Sequence, residues 1–175
     1  MMRGYGQREV NITLFGNKVT AREIVLPMPP SENVRLEGRV IKGRCMFHNT
    51  KEYNAWLERA KHDCMKGKLP MLEEPVTVFV TVVFPDNKRR DNQNREKPLF
   101  DAMTRSGCVY KDDCLIKQHF TREEVIKGQS FVLVYVVPYS ALTLDEFAVS
   151  QEYLNQTIEQ ALAEEADMAA KGRKS

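Results

Sequence analysis

The chain has 175 residues, of which 42% are hydrophobic, so it is long enough for one compact domain with short extensions but too short for two full domains. It contains no run of about 18 apolar residues and no apolar N-terminal stretch, so we expect a soluble, cytoplasmic protein without a membrane span or signal peptide. The cysteines form no Cys-x-x-Cys pair, which predicts reduced thiols.

The net charge of +2 hides an uneven distribution of charge along the chain. Residues 144–175 contain seven acidic and three basic side chains, whereas residues 1–143 contain 17 acidic and 23 basic ones, a net charge of +6. A basic domain suits a phosphate-binding surface, although an ordinary surface with scattered charge gives the same excess.

A β-hairpin is predicted at the N-terminus. Apolar and polar residues alternate over 10–14, Gly16 and Asn17 favour a turn, and residues 19–26 return as a second strand. We assign residues 1–21, which contain the first strand and the turn of this hairpin, to an N-terminal extension.

A basic loop follows the proline-rich segment 27–31, which ends the second strand. Residues 33–44 are predicted to form a loop or a short hairpin. This segment contains four basic residues that are candidates for DNA phosphate contacts: Arg35, Arg39, Lys42 and Arg44. Solvated loop charge explains them about as well.

A helix is predicted over residues 51–66, with Thr50 as its N-cap. Its apolar residues recur at intervals of three and four, the period of a buried helix face: Tyr53, Trp56, Leu57 and Ala60. A β-branched run over 76–84 then predicts a buried strand, which Pro85 ends.

A second helix is predicted to begin near Asn94 and to end at Gly107, because Pro98 is tolerated only close to a helix start. Asn94, Lys97 and Asp101 are spaced three and four residues apart and therefore share one face of this helix.

Carboxylates flank this second helix on both sides. Asp91 precedes it, and the adjacent pair Asp112 and Asp113 follows it in a short loop, so a turn and a helix can bring Asp91 and Asp113 within reach of one cation. Two or three clustered carboxylates are the ligands that Mg²⁺ prefers beside water and phosphate, and such a site polarises a scissile phosphate and activates water. Lys97 would add positive charge near the developing negative charge.

The other basic residues of this segment are further candidates for phosphate contacts: Lys88, Arg89, Arg90 and Arg95. Surface turns have a similar composition, so spacing alone leaves open whether these acids and bases form a site or a solvated face.

The remaining segments complete an α+β fold. Strands are predicted over 115–122 and 130–137, and a capping box at residues 143–146 predicts a C-terminal amphipathic helix. We predict a single domain with a mixed β-sheet packed by two helices, an N-terminal β-hairpin extension and a C-terminal helix. The predicted divisions are 1–21 for the extension, 22–140 for the central domain and 141–175 for the acidic helix.

Two ordered motifs resemble one known family. Arg-Arg-Asp91-x-x-Asn94-x-x-Lys97-x-x-x-Asp101-Ala-Met, followed by Gly107 and Asp112-Asp113, resembles the RusA-type Holliday-junction resolvases, small phage and prophage endonucleases. The upstream segment resembles the family's N-terminal strand and Pro-Pro-Ser-x-Asn loop through four residues: Pro29, Pro30, Ser31 and Asn33.

The resemblance implies a homodimer that binds four-way DNA junctions and makes paired nicks with Mg²⁺ or Mn²⁺, in recombination, repair or phage replication. It implies that Asp91, Asp113 and Lys97 are catalytic and that Asp112 is a neighbouring acid. Asn94 and Asp101 match motif positions.

One position departs from the family's Asp-x-Asp-Asn pattern, because Gln93 stands where a second metal-binding Asp is expected. A glutamine carbonyl can ligate a hard cation, but it is neutral and cannot act as a general base. Two hypotheses follow: a metal-dependent, structure-selective junction endonuclease, or a junction-binding protein with weak or no nuclease activity.

Overall fold

The computed structural model describes residues 4–14, 16–41, 44–88, 90 and 93–142. The strands are β1 (Gly6–Leu14), β2 (Asn17–Pro27), β3 (Leu36–Ile41), β4 (Arg44–Asn49), β5 (Val76–Phe84), β6 (Ile116–Val125) and β7 (Phe131–Pro138). The helices are α1 (Lys51–Met65) and α2 (Gln93–Ser106), with short 3-10 helices η1 (Glu32–Val34), η2 (Asp113–Leu115) and η3 (Tyr139–Ala141).

The main sheet has five strands in the order β1-β2-β7-β5-β6. The β5–β6 pair is parallel and the other pairs are antiparallel, so the sheet is mixed. This confirms the predicted α+β fold with a mixed sheet and two helices. The predicted C-terminal helix lies outside the described residues.

Strand β5 is the central element of the core, and all nine of its residues are buried. Val78, Val80 and Val82 face the helices, whereas Phe79 joins an apolar cluster on the other side of the sheet. A strand that is covered on both faces reads as a continuous β-branched run, which is why residues 76–84 were recognisable in the sequence.

Helices α1 and α2 pack against each other and against one face of the main sheet. The Thr50 side chain caps α1 by accepting a hydrogen bond from the backbone N–H of Tyr53. On α2, Leu99, Ala102 and Met103 are buried, so the opposite side of this helix is left for polar residues.

The predicted N-terminal hairpin is present, and it is continuous with the main sheet. Strand β1 pairs with β2 along its full length, while β2 pairs with β7 from Arg22 to Pro27. Strand β2 therefore crosses the boundary predicted between residues 21 and 22. Gly67, just after α1, approaches the carbonyl oxygen of Gln7 so closely that a Cβ would clash, which brings β1 against the end of α1.

Residues 33–44 were predicted as a loop or a short hairpin. The structure has a hairpin there that extends further along the chain, because β3 and β4 form a separate two-stranded sheet and β4 continues to Asn49. In the described part of the chain, no helix is long and apolar enough to cross a membrane.

Candidate active site

The predicted catalytic face of α2 is oriented away from the core. Asn94 and Asp101 are half-buried and Lys97 is exposed, in contrast to the buried residues Leu99 and Met103 on the other side of the helix. The apolar side fixes the rotation of α2, and Lys97 is thereby presented to solvent.

Asp101 joins three elements. The Tyr53 hydroxyl of α1 donates a hydrogen bond of 3.1 Å to Asp101 Oδ2, and Arg35 Nη1 lies 3.9 Å from the same oxygen. The Arg35 guanidinium also lies over the Tyr53 ring, 5.4 Å from its centroid. Burial raises the pKa of Tyr53, and the Asp101 carboxylate raises it further. Asp101 therefore fixes α2 relative to α1 and the segment after η1.

The proline-rich loop contacts the N-terminal part of α2. The Ser31 side chain accepts a hydrogen bond from the N–H of Asn33 and caps η1, while Pro30 is half-buried. Arg95 Nη1 donates a hydrogen bond to the carbonyl oxygen of Pro29. The two motifs that resemble the resolvase family are thus neighbours in space.

Asp112 and Asp113 differ in what their carboxylates do. The Asp112 side chain accepts a hydrogen bond of 2.9 Å from the N–H of Cys114 and caps η2, and this bond lowers the pKa of Asp112. Asp113, the first residue of η2, is exposed.

Helix α2 contacts η2 directly, so the structure brings the Asp112–Asp113 turn against this helix. Tyr110, which lies between α2 and η2 in the chain, is fully buried, and this burial raises its pKa.

Arg22 of β2 holds the segment that precedes this turn, and sequence reasoning missed this role. Its Nη1 donates hydrogen bonds of 2.7 and 3.0 Å to the carbonyls of Cys108 and Val109, and its Nη2 donates one of 2.6 Å to the carbonyl of Pro70. Burial lowers the pKa of this arginine. The available sequence signal was the position of Arg22 in a predicted strand, just before the apolar run 24–26.

Several predicted site residues lie outside the described residues: Lys42, Arg89 and Asp91. Gln93 begins α2, but its side chain is outside the description, as is the side chain of Arg39 on β3. The convergence of Asp91 and Asp113 therefore stays a prediction.

The basic residues predicted to contact DNA fall into two groups. Arg44 and Lys88 are exposed, and Lys88 Nζ lies 3.8 Å from Asp86 Oδ2. Arg35, Arg90 and Arg95 have intramolecular partners: Arg90 pairs with Asp86 at 2.6 Å, and the guanidinium groups of Arg90 and Arg95 lie over the Phe84 ring. These three arginines hold the segments around α2 in place, and their contacts with DNA stay predictions.

The carboxylates of the Asp112–Asp113 turn are suited to a hard divalent cation. Asp112 and Asp113 offer exposed carboxylate oxygens, which Mg²⁺ and Mn²⁺ prefer to thiolates. Among the described residues, no group of three or more His, Cys, Asp or Glu side chains is placed to hold a metal ion. One or two carboxylates are sufficient for Mg²⁺ when water and phosphate complete its shell, so the residues fit this ion.

Comparison with known proteins agrees with this arrangement. The family described as endodeoxyribonuclease RusA matches residues 27–135. The proteins named crossover junction endodeoxyribonuclease RusA from Escherichia coli K12 and O139:H28 are each 31% identical to the chain over 106 residues, which cover 60% of this chain and 85% of each relative. The protein of that name from Aquifex aeolicus is 26% identical over 70 residues, 40% of this chain and 55% of the relative. The chain belongs to the RusA endodeoxyribonuclease family.

Proposed function

We propose that this protein is a divalent-metal-dependent endonuclease that resolves four-way DNA junctions by paired nicks, acting as a homodimer in recombination, repair or phage replication. The observation that supports the proposal is that the proline-rich loop and η2 both contact α2, the helix that contains Lys97 and Asp101. The family's curated relatives are named for the same activity.

In this proposal Asp91 and Asp113 hold Mg²⁺ or Mn²⁺, with Gln93 and Asp112 as additional oxygen donors. When bound, the ion supplies polarisation of the scissile phosphate and a more acidic water. Asp112 keeps the turn in its conformation through its bond to Cys114, which orients the adjacent Asp113. Arg22 fixes the preceding segment through its bonds to Cys108 and Val109.

Lys97 contributes positive charge beside the reacting phosphate. The Asp101 contacts with Tyr53 and Arg35 fix the position of α2, and through it the position of the Lys97 ammonium group. A preorganised charge of this kind stabilises negative charge that develops during cleavage without reorganising the site.

A homodimer suits this substrate because a four-way junction has two strands to cut in symmetric positions. Two identical chains related by a two-fold axis supply two identical sites. We expect the dimer to be a cytoplasmic protein, which is consistent with the free cysteines Cys45, Cys64, Cys108 and Cys114.

The test is incubation of the protein with a synthetic four-way junction in the presence of Mg²⁺ or Mn²⁺. We expect symmetric nicks in two opposing strands and no product with a chelator. A panel of flap, fork and linear duplex substrates tests selectivity, and equal cleavage of the linear duplex would contradict it.

A junction-binding protein with little nuclease activity is the second candidate. The observation that favours it is Gln93, a neutral residue at a position where the family pattern has a second acid. The same incubation separates the two candidates, because tight junction binding without nicks in either metal supports the binding protein.

A further inference from the structure

A pocket of about 540 Å³ lies between the proline-rich loop 27–31 and α1. Arg95 of α2 also lines this pocket. The residues that α1 contributes are spaced three and four apart and therefore share one face of the helix: Glu52, Ala55, Trp56 and Arg59. The volume is typical of pockets that hold one small molecule or one chemical group, so the pocket suits a compact ligand rather than a broad partner surface.

Trp56 forms an aromatic wall of the pocket. Its Nε1–H donates a hydrogen bond of 3.1 Å to the carbonyl oxygen of Pro27, which fixes the ring against the loop. Tyr53 and Leu57 of the same helix are buried, whereas Trp56 is only half-buried. Because the indole N–H already has its partner, the ring offers the pocket an aromatic surface rather than a hydrogen-bond donor.

The two charged residues that α1 contributes to the pocket have opposite sign. Glu52 is exposed in the first turn of α1, and the side chain of Arg59 is 62% exposed. The Arg59 guanidinium lies over the Tyr5 ring, 5.2 Å from its centroid, and Arg59 Nε lies 4.0 Å from Asp63 Oδ2. These contacts leave most of the N–H donors of Arg59 for other partners.

Arg95 connects the pocket to the helix that contains the candidate site. It donates a hydrogen bond to the carbonyl oxygen of Pro29, and its guanidinium group lies over the Phe84 ring. Arg95 precedes Lys97 by two residues, which is about 3 Å along the helix axis. DNA that binds at Lys97 therefore lies within one helical turn of the pocket along this axis.

These features suit a nucleobase that has left its stack. Every base has a flat aromatic face that can stack on a tryptophan ring, and a carboxylate such as that of Glu52 can accept hydrogen bonds from base N–H groups. Arg59 can bind the phosphate of the same nucleotide. A free anion such as inorganic phosphate suits the pocket less well, because the loop contributes prolines and Met28, and Glu52 would repel the anion.

We propose that this pocket binds one unstacked nucleobase from the branch point of the DNA, with the base against Trp56 and its phosphate beside Arg59. The inference rests on the proposed function, because it concerns how the same protein selects its substrate. Removing a base from its stack costs least where the base is not fully stacked and paired, as where duplex arms meet. A base therefore enters the pocket more readily from a junction than from a linear duplex.

Trp56 is the only tryptophan of the chain, so its fluorescence reports on the pocket directly. The full-length protein is titrated with a four-way junction and, separately, with a linear duplex of the same sequence, in a chelator that prevents cleavage. We expect the stacked base to quench the fluorescence at saturation with the junction but not at saturation with the duplex. An unquenched junction complex, or equal quenching by both DNAs, would overturn the proposal.

The matched substitutions are Ala55→Phe and Asn54→Phe, which place the same ring at adjacent exposed positions of α1. Ala55 lines the pocket and Asn54 lies outside it, so only Ala55→Phe fills the pocket. We expect Ala55→Phe to abolish the quenching and to raise the dissociation constant of the junction at least about 5-fold, as for the loss of one weakly stacked base. The dissociation constant of the linear duplex should stay unchanged.

Asn54→Phe should bind both DNAs as the unchanged protein does, and circular dichroism verifies that both variants are folded. Equal loss of junction affinity in both variants would overturn the proposal. Junction affinity that is the same for Ala55→Phe and the unchanged protein would also overturn it, and would indicate that the pocket takes a ligand of another class.

Junctions that lack one base test the proposal without changing the protein. An abasic nucleotide is placed in turn at each position beside the branch point. We expect one position at which the missing base restores the Trp56 fluorescence and weakens binding as much as Ala55→Phe does. The two changes together should weaken binding no more than either alone, because both remove the same contact. If no position has these effects, the proposal is overturned, even where Ala55→Phe fails to fold.

Nicking assays keep this inference separate from the proposed function. Quenching by the junction without nicks in either metal overturns the nuclease and leaves the pocket intact. Symmetric nicks without quenching overturn the pocket alone.

Discussion

Asp112 and Asp113 are adjacent in sequence, but their carboxylates have different surroundings. One oxygen of Asp112 accepts a hydrogen bond from the N–H of Cys114, whereas Asp113 is exposed on η2, which contacts α2. An asparagine retains the capping ability of Asp112 because its side-chain oxygen accepts the same hydrogen bond, but it removes the negative charge that a metal ligand needs.

For this reason we expect Asp113→Asn to lower the junction cleavage rate by about 100-fold or more, as the loss of one preorganised electrostatic group does. Junction affinity should stay similar or rise, because a charge that repels phosphate is removed. Asp112→Asn is the matched control, and it should lower the rate much less. Equal rates for Asp113→Asn and the unchanged protein would remove Asp113 from the site.

Lys97 is exposed on α2, so its removal leaves the helix packing intact. We expect Lys97→Ala to lower the single-turnover cleavage rate more than it lowers junction affinity, because its charge acts on the developing negative charge. Lys88→Ala, also an exposed lysine, should change mainly affinity. A Lys97→Ala variant with lower affinity and an unchanged rate would identify Lys97 as a phosphate contact.

The residue at position 93 is expected to influence how much Mg²⁺ the protein needs for cleavage. We expect Gln93→Asp to restore a charged oxygen ligand and to shift the Mg²⁺ concentration for half-maximal cleavage to lower values. The measurement is cleavage rate across a titration of Mg²⁺, repeated with Gln93→Glu as a control for charge without the shorter side chain. Identical titration curves for all three proteins would show that position 93 does not contact the ion.

At the scale of elements, a few long-range polar contacts fix the positions of α1, α2 and the turns. Asp101 links α2 to Tyr53 of α1 and to Arg35 after η1, and Arg22 links β2 to the segment before η2. These contacts position the elements that contain the candidate site residues. In our proposal, the residues that make these contacts do not themselves react with the substrate.

We expect Tyr53→Phe to lower the free energy of unfolding by about 1–2 kcal/mol, because it removes the hydroxyl that donates to the Asp101 carboxylate. Urea unfolding of Tyr53→Phe and of the unchanged protein measures the difference, and an unchanged free energy of unfolding would contradict the role of the Asp101 contact.

Local sequence patterns predicted the helices and strands more completely than the tertiary contacts between them. The β-branched run of β5, the Thr50 cap and Gly107 are local signals, and each corresponds to an observed element or boundary. The partner of Asp101 is 48 residues away in sequence, and the carbonyl of Cys108 is 86 residues from Arg22. Tyr53 was recognisable as a core residue by its helical period, but that period carries no information about what its hydroxyl contacts.

Local sequence patterns also did not predict the order of the strands in the sheet. Strand β2 pairs with β7, whose position in the chain is more than a hundred residues later, and the N-terminal hairpin thereby becomes part of the main sheet. The motif residues of the candidate site were identified because they resemble a family, and spacing alone does not define which tertiary contacts the elements that contain them make.

At the scale of the whole molecule, the distribution of charge suits a DNA substrate. The net charge of +6 over residues 1–143 attracts phosphate. We expect junction affinity to fall steeply as salt increases, since each neutralised phosphate releases counterions. Affinity that is independent of salt between about 50 and 200 mM would contradict a phosphate-binding surface.

The central claim is that Asp91 and Asp113 bind one divalent ion together. A crystal structure of the protein soaked with Mn²⁺, with anomalous diffraction to locate the ion, tests this directly. We predict an anomalous peak within bonding distance of a carboxylate oxygen from each residue. Two carboxylates on separate surfaces, with no ion between them, would contradict the account.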